Sequence, residues 1–447
     1  MARMHLKRLG LIAGATLMSA MLAACNTDNS TVTSGQSAQN QQQPNDPTPT
    51  DPVADLSKVP FAPTPDADTF FAQPAPFPDV APGTILKSRE VKLTLFGGLP
   101  VPHKAWQLQF ATRDVRGHAL AAVTTVVLPD AANADTPLLS LQYASDSLGA
   151  QCEPSHALTG GTANTVSQAE GAKLLEALRR GWAVAVPDHQ GPYSAYEAGR
   201  LQGQITLDGI RAALAFKPMG LKPQTPVGMM GYSGGSHPSL WAASFRKDYA
   251  PELNIVGVSA GGVAANVIEV ARLTDTNPLN QPFFSLVFMA IEGINRAYPE
   301  LVTPYLNDKG IQAFKAMKDG CAGGTTDNNP MSRPFGHLDD YTTVKDLLDG
   351  PSTKALAAQI NLPQAGHAPD TDVFVYHAAT DELLPVAGVD TMVDAWCQAG
   401  SKVHYFRGPV GEHLMFDVVI FPFAFDYMAS RFAGGLPGFL PTTTSCN

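Results

Sequence analysis

Charge is scarce in this chain: 16% of its 447 residues are Asp, Glu, Lys or Arg, and the formal net charge is −10. No run of Lys or Arg occurs beyond the N-terminus, which argues against nucleic acid as a partner. Cysteine is sparse as well. The five present show no C-x-x-C spacing, so no zinc module and no other metal site is expected. No internal repeat is found, and no apolar run is long enough to span a membrane as a mature helix. What is there is an ordinary 44% of hydrophobic residues, ample for a core. The length fits one large α/β domain with insertions, or two domains.

The N-terminus has the form of an export signal. In "MARMHLKRLGLIAGATLMSAMLAAC", Arg3, Lys7 and Arg8 make the charged region and Leu9 to Leu22 the apolar one. Removing residues 1–24 leaves a net charge of −10 − 3 = −13. The ending "LAAC" resembles the lipobox of bacterial lipoproteins, which implies acylation of Cys25. Several acyl chains, at about 0.8 kcal/mol per buried CH₂, anchor a protein to a membrane stably. The alternative is plain secretion, with Cys25 an ordinary thiol. Asn26 in place of Asp fits outer-membrane sorting, facing the periplasm or the surface, or an extracellular protein if it is released. The stretch that follows, "NTDNSTVTSGQSAQNQQQPNDPTPTDP", has no apolar face, so residues 25–60 read as a tether. Such a coil spans about 30 Å on average. The folded domain is expected over 61–447.

From about residue 84, β-rich runs appear: "VKLTLFG", "WQLQFATRD" and "ALAAVTTVVLP". Strands then alternate with helices. "LLSLQYASD", "WAVAVPD", "PVGMMGYS" and "NIVGVSA" read as strands; "SQAEGAKLLEALRRG", "LQGQITLDGIRAALAF" and "SLWAASFRKDYA" read as helices. The first of these helices predicts a capping box, Ser167 with Glu170, and a stop at Gly181. The pattern points to a mostly parallel sheet covered by helices. Residues 262–350 break it with helical segments only, the length of an inserted cap. "FFSLVFMAI" within it reads as a buried cap helix, with a lipid-seeking lid as the alternative. Alternation resumes with "VFVYHAATDELLP", "GVDTMVDAWCQAG", "KVHYFRG" and a last helix after "GEHLMFDVV".

Two segments match G-x-S-x-G, the pattern of a serine nucleophile on a tight strand-to-helix turn: "GYSGG" around Ser233 and "GVSAG" around Ser259. Random order alone yields roughly 0.2 matches in such a chain, so the pattern needs support from position. Serine needs a base within reach and a third group to orient that base. On a sheet of this kind they follow in the order Ser, acid, His, each on a loop at a strand's carboxyl end. Ser233 sits at a crossover between a strand and a helix, whereas Ser259 is expected to cap the next strand against the sheet edge. His413, between a strand and the final helix, is in the position required of the base. His404 falls inside a strand, His377 ends one and is expected to line the site, and His189 and His237 come in the wrong order. Asp381 precedes His413 by one helix and one strand, with Glu382 its neighbouring rival; Asp390 and Asp417 fall in helices and read as solvated. The oxyanion of an acyl-transfer intermediate needs donors, expected from the N–H of Gly234 and from the loop near Asp146. Cys152, Cys321, Cys397 and Cys446 form two disulfides in an oxidising compartment, with three connectivities open.

These motifs together resemble the secretory lipase family of the α/β-hydrolase superfamily. The likeness runs through "PFPDVAPGTILKSREV", "YASDSLGAQCEPS", "GWAVAVPDHQGP", "LDGIRAAL", "GYSGGSH", "HAATDELLPV" and "GEHLMF", over about residues 76–441. It implies Ser233 as nucleophile, Asp381 as acid, His413 as base, and Asp146 as oxyanion partner of Gly234. It also implies the pairs Cys152–Cys321 and Cys397–Cys446, a helical cap with an acyl tunnel, and hydrolysis of acylglycerols or other carboxylic esters without a cofactor. A triacylglycerol lipase acting as a monomer is the expectation. An esterase for short-chain or polysaccharide-linked esters and a non-catalytic binding lipoprotein are the alternatives.

Overall fold

The strand-forming runs assemble into one sheet, in a computed structural model that describes residues 53–322 and 336–446. All the described residues belong to one unit, 46–447. The strands are β1 (Ile85–Leu95), β2 (Leu99–Arg113), β3 (Ala119–Leu128), β4 (Leu138–Gln142), β5 (Ala183–Pro187), β6 (Val227–Tyr232), β7 (Ile255–Gly261), β8 (Val373–Ala378), β9 (Val403–Gly408) and β10 (Thr444–Cys446). They lie in the order β1-β2-β3-β5-β4-β6-β7-β8-β9-β10. β4 to β9 are parallel, β1 to β3 form an antiparallel meander, and β10 closes the far edge antiparallel. Every residue of β4, β5 and β6 is buried. That is the mark of strands covered on both faces, and it explains why they read as continuous apolar runs.

Helices cover each face. On one side lie α1 (Gly171–Arg179) and the long C-terminal α9 (His413–Phe432), packing Leu174, Leu178, Phe416, Ile420 and Met428 against the sheet. On the other lie α2 (Gly199–Ala215) and α3 (Ser236–Tyr249), with Ile205, Ile210, Leu240 and Trp241 in the core. The cap joins this second core through α4 (Val267–Thr276), α5 (Phe284–Ala297), α6 (Asp308–Met317) and α7 (Pro351–Ile360). α8 (Val386–Gln398) links β8 to β9. Both disulfides are formed, Cys152–Cys321 and Cys397–Cys446.

Four expectations change. The cap runs on through α7, past residue 350, because Leu356 and Ile360 are buried in the same core as the other cap helices. Residues 53–60 are not all tether. Val53 bridges to Ala119, and Ala54 N–H donates to the Ala119 carbonyl at 2.9 Å, an isolated bridge at the start of β3. Thr124 pairs with Pro187 at the end of β5, so Ala119 lies beyond the carboxyl ends of the parallel strands. The capping box is absent. A separate short helix, Thr165–Ala169, is capped by Asn164, whose side chain accepts from Ser167 N–H, and Glu170 joins it to α1. Gly181 does end the helical stretch, with φ +78°. Finally, Ser259 lies inside β7 between β6 and β8 rather than at a sheet edge. The signal, Cys25 and most of the tether fall outside the described residues. No helix among the described residues is long and apolar enough to cross a membrane.

Candidate active site

β6 stops at Tyr232, and the chain turns directly into α3. Ser233 makes the corner with φ +53°, a left-handed conformation that a non-glycine residue adopts only where its surroundings enforce it. Two glycines make the corner possible. A Cβ on Gly231 would sit 2.0 Å from the Gly235 carbonyl oxygen, and one on Gly235 would sit 2.0 Å from that of Gln142. The G-x-S-x-G spacing is thus a packing requirement of the turn.

His413 is the first residue of α9, delivered by the loop after β9. Its Nε2 lies 2.8 Å from Ser233 Oγ, and its Nδ1 lies 2.7 Å from Asp381 Oδ2. Asp381 sits on the loop after β8, where Leu383 and Leu384 N–H donate to its Oδ1 at 3.0 and 2.8 Å. Burial works against a charged imidazole, yet the Asp381 hydrogen bond and charge, with Glu382 and Asp146 adding, hold His413 above the ordinary histidine value. Asp381 is displaced the other way: burial opposes its charge, and the bond to His413, then His377 and the Leu384 N–H, keep it below the usual carboxylate range. Glu382 contacts His413 only through the backbone, accepting from its N–H at 3.1 Å.

The loop after β4 places Asp146 beside the elbow. Its φ is +45°, and its Oδ1 has no hydrogen-bond partner among the described residues. A Cβ on residue 234 would fall 1.7 Å from that oxygen, so only glycine lets the carboxyl lie against the elbow. Burial first, then the charge of Glu197, pushes Asp146 up to about 7. Such a shift favours the protonated form, in which this carboxyl can donate.

The other candidates resolve by position. Ser259 is fully buried mid-strand, its Oγ without a partner among the described residues. His377 is buried behind Asp381: its Nδ1 accepts from Val263 N–H at 3.0 Å, its Nε2–H donates to the Leu384 carbonyl at 2.9 Å, and Asp381 is 3.6 Å away. His404 is buried inside β9. Asp390 and Asp417 are not simply solvated. Asp390 accepts from Tyr405 OH at 2.8 Å, and Asp417 pairs with the buried Lys173 at 2.8 Å beneath the elbow.

Sequence reasoning missed the supports of the Asp146 loop. His189 Nε2–H donates to the Tyr143 carbonyl at 2.8 Å, and Gln190 Nε2–H donates to that of Ser147. Burial pulls His189 down to about 4, so it stays neutral in this role. Asn164 donates to the Ser145 carbonyl at 2.6 Å and to Ser147 Oγ at 3.0 Å. His237, four residues after the serine, pairs through Nδ1 with the buried Glu197 at 2.9 Å and accepts from Trp241 Nε1–H at 2.8 Å. The motifs "PDHQGP" and "GYSGGSH" carried His189, Gln190 and His237, but nothing in the motifs alone assigned them a partner, and Asn164 lies in neither.

Ser233 and Gly234 open onto an apolar cavity under the cap, lined by residues such as Val267, Leu286, Ile291, Phe314 and Leu348. α5 contributes its apolar face and is buried over most of its length, as a cap helix and not a free lid.

A profile of the secretory lipases matches residues 158–438 of the chain. A secreted triacylglycerol lipase of Malassezia furfur is 32% identical over 383 residues, 83% of this chain and 80% of that protein. A Mycobacterium tuberculosis protein described as a probable inactive lipase is 33% identical over 380 residues, 83% of each chain. Among solved structures, Candida antarctica lipase A superposes with a TM-score of 0.75 at 25% identity, covering 85% of this chain and 89% of that one. The mixed sheet, its flanking helices and the strand-to-helix elbow are those of the α/β-hydrolase fold.

Proposed function

This chain belongs to the secretory lipase family, and we propose that it hydrolyses carboxylic esters, acylglycerols first among them, through Ser233, His413 and Asp381. One observation carries the reading. The path Ser233 Oγ, His413 Nε2, His413 Nδ1 and Asp381 Oδ2 runs through contacts of 2.8 and 2.7 Å at the mouth of an apolar cavity.

Ser233 attacks the ester carbonyl as His413 Nε2 takes the hydroxyl proton, and Asp381 stabilises the imidazolium that forms. The negative oxygen of the tetrahedral adduct is met by the Gly234 N–H and the protonated Asp146 carboxyl; one such donor supplies about 3 kcal/mol of transition-state stabilisation. Collapse of the adduct releases the alcohol, which takes the proton from His413. Water then repeats the sequence on the acyl-enzyme, with His413 again as base and Ser233 as leaving group. The apolar lining of the cavity suits the acyl chain. We further read residues 1–24 as an export signal, Cys25 as the acylated residue and the following segment as the tether of an outer-membrane monomer.

The relative described as inactive makes a silent binding lipoprotein the competing reading. A fluorescent fluorophosphonate decides between them: it is expected to label the wild type and Ser259→Ala but not Ser233→Ala. An unlabelled wild type overturns catalysis. Comparing tributyrin with triolein tests the substrate class, and activity confined to tributyrin replaces the lipase with a short-chain or polysaccharide-ester esterase.

A further inference from the structure

α9 is apolar on both faces. Phe416, Ile420, Phe425 and Met428 pack on the sheet, yet Leu414, Met415, Val418 and Val419 on the opposite side are 66%, 59%, 60% and 59% exposed. A helix hydrophobic all round is normally buried on all sides. The four exposed residues are spaced i, i+1, i+4 and i+5, so Leu414 stacks on Val418 and Met415 on Val419 as one ridge. Of the twelve large apolar side chains strongly exposed among the described residues, seven fall between 410 and 439. Scattered apolar residues need no explanation, but a concentration of this kind does.

The ridge begins at the residue after His413. Val410, on the loop that delivers His413, extends it at 63% exposure. Leu279, the most exposed of the set at 83%, neighbours Asn280, whose side chain donates to the Glu382 carbonyl beside Asp381. Apolar surface therefore flanks both loops that supply the base and the acid. The charge around it is acidic. Glu382 and Glu412 lie at the helix start and Asp426 farther along, and α9 carries no Lys or Arg before Arg431. The nearby cations are engaged: Arg180 binds Glu176 and Asp426, and Lys173 binds Glu170 and Asp417.

We propose that the ridge Leu414–Met415–Val418–Val419, with Val410 and Leu279, is a docking surface for the surface of an aggregated, uncharged ester such as a neutral acylglycerol droplet. The apolar side chains enter the droplet surface as an interfacial helix does, and the acidic surround disfavours an anionic bilayer. Docking places the loops of His413 and Asp381 at the lipid boundary, so an ester reaches Ser233 without crossing water. The choice of partner rests on the hydrolytic reading above; the docking itself does not.

The test uses the mature chain, residues 25–447, with Cys25→Ser, which removes any acyl anchor, and Ser233→Ala, which removes turnover. Flotation with triolein droplets is expected to carry this protein up. Adding Val418→Ser and Val419→Ser is expected to weaken that partition roughly tenfold or more. Phosphatidylglycerol vesicles are expected to bind less than droplets do. On a background with Ser233 intact, the same two substitutions are expected to leave hydrolysis of dissolved p-nitrophenyl butyrate within twofold while lowering the rate on emulsified triolein. Equal flotation of the ridge variant and its parent, or preference for the anionic vesicles, overturns the proposal. Loss of p-nitrophenyl butyrate hydrolysis by the wild type would instead fall on the catalytic reading.

Discussion

The chain writes the same five-residue pattern twice, at 231–235 and at 257–261, and folds the two copies in opposite ways. In the first, the strand ends one residue before the serine, the backbone turns left-handed, and the hydroxyl meets His413. In the second, the ladder continues through the serine, with Met230 on one side and Phe374 on the other. The glycines differ in the same sense. The outer glycines of the first copy, Gly231 and Gly235, admit backbone carbonyls, whereas those of the second admit side chains, Arg431 at Gly257 and Tyr376 at Gly261. The pattern describes close packing around a serine; the end of the strand is what turns such a serine outward.

The comparison breaks most visibly at the serines. Ser233→Ala is expected to lower kcat by about 10⁴-fold or more, read on any soluble ester; a variant that keeps activity would move the nucleophile elsewhere. Next come the glycines. Gly234→Ala drives a methyl into Asp146 and is expected to cost roughly 10²-fold in kcat. Gly261→Ala, whose Cβ would lie 2.1 Å from the Tyr376 ring, is expected to cost about 1–3 kcal/mol of stability, measured by denaturant unfolding, with kcat changed little. Exchange of these two outcomes would erase the distinction between the copies.

A smaller effect is expected in the pH profile. In the proposed mechanism His413 must be neutral to act, so kcat/KM is expected to rise as pH climbs through its raised value, above the ordinary 6.5. As the proposed oxyanion donor Asp146 must be protonated, so the rate is expected to fall as pH climbs through about 7. Asp146→Asn keeps a donor that does not titrate and removes a carboxylate that raises His413. The alkaline limb is expected to vanish and the acid limb to move down. The smallest effect is at Ser259→Ala, which deletes a buried hydroxyl without a partner. Stability is expected unchanged or higher by up to about 1 kcal/mol, with full activity.

Much of this was legible in the sequence because it rests on local rules. Strand periodicity, the alternation with helices and the order of Ser233, Asp381 and His413 gave the sheet and the arrangement of the three loops. The errors arose where tertiary contacts decide. Ser167 and Glu170 fit a capping box, but Asn164 takes the cap while also donating to the Asp146 loop, and that loop lies elsewhere in the chain. Asp417 looked solvated because its cation, Lys173, is 244 residues earlier (417 − 173). The ridge on α9 could not be told from core by composition, since apolar residues on the two faces of a helix are alike in kind.

The Cys152–Cys321 bridge joins the turn just after the Asp146 loop to the stretch that follows α6. The cap is already held at both chain ends, following the carboxyl end of β7 and running back into the amino end of β8. A cover fastened at three points cannot swing away as a door. It parts more readily between its fastenings, so under the proposed function a bulky ester is expected to enter along a seam whose bounding stitches are covalent and in place beforehand.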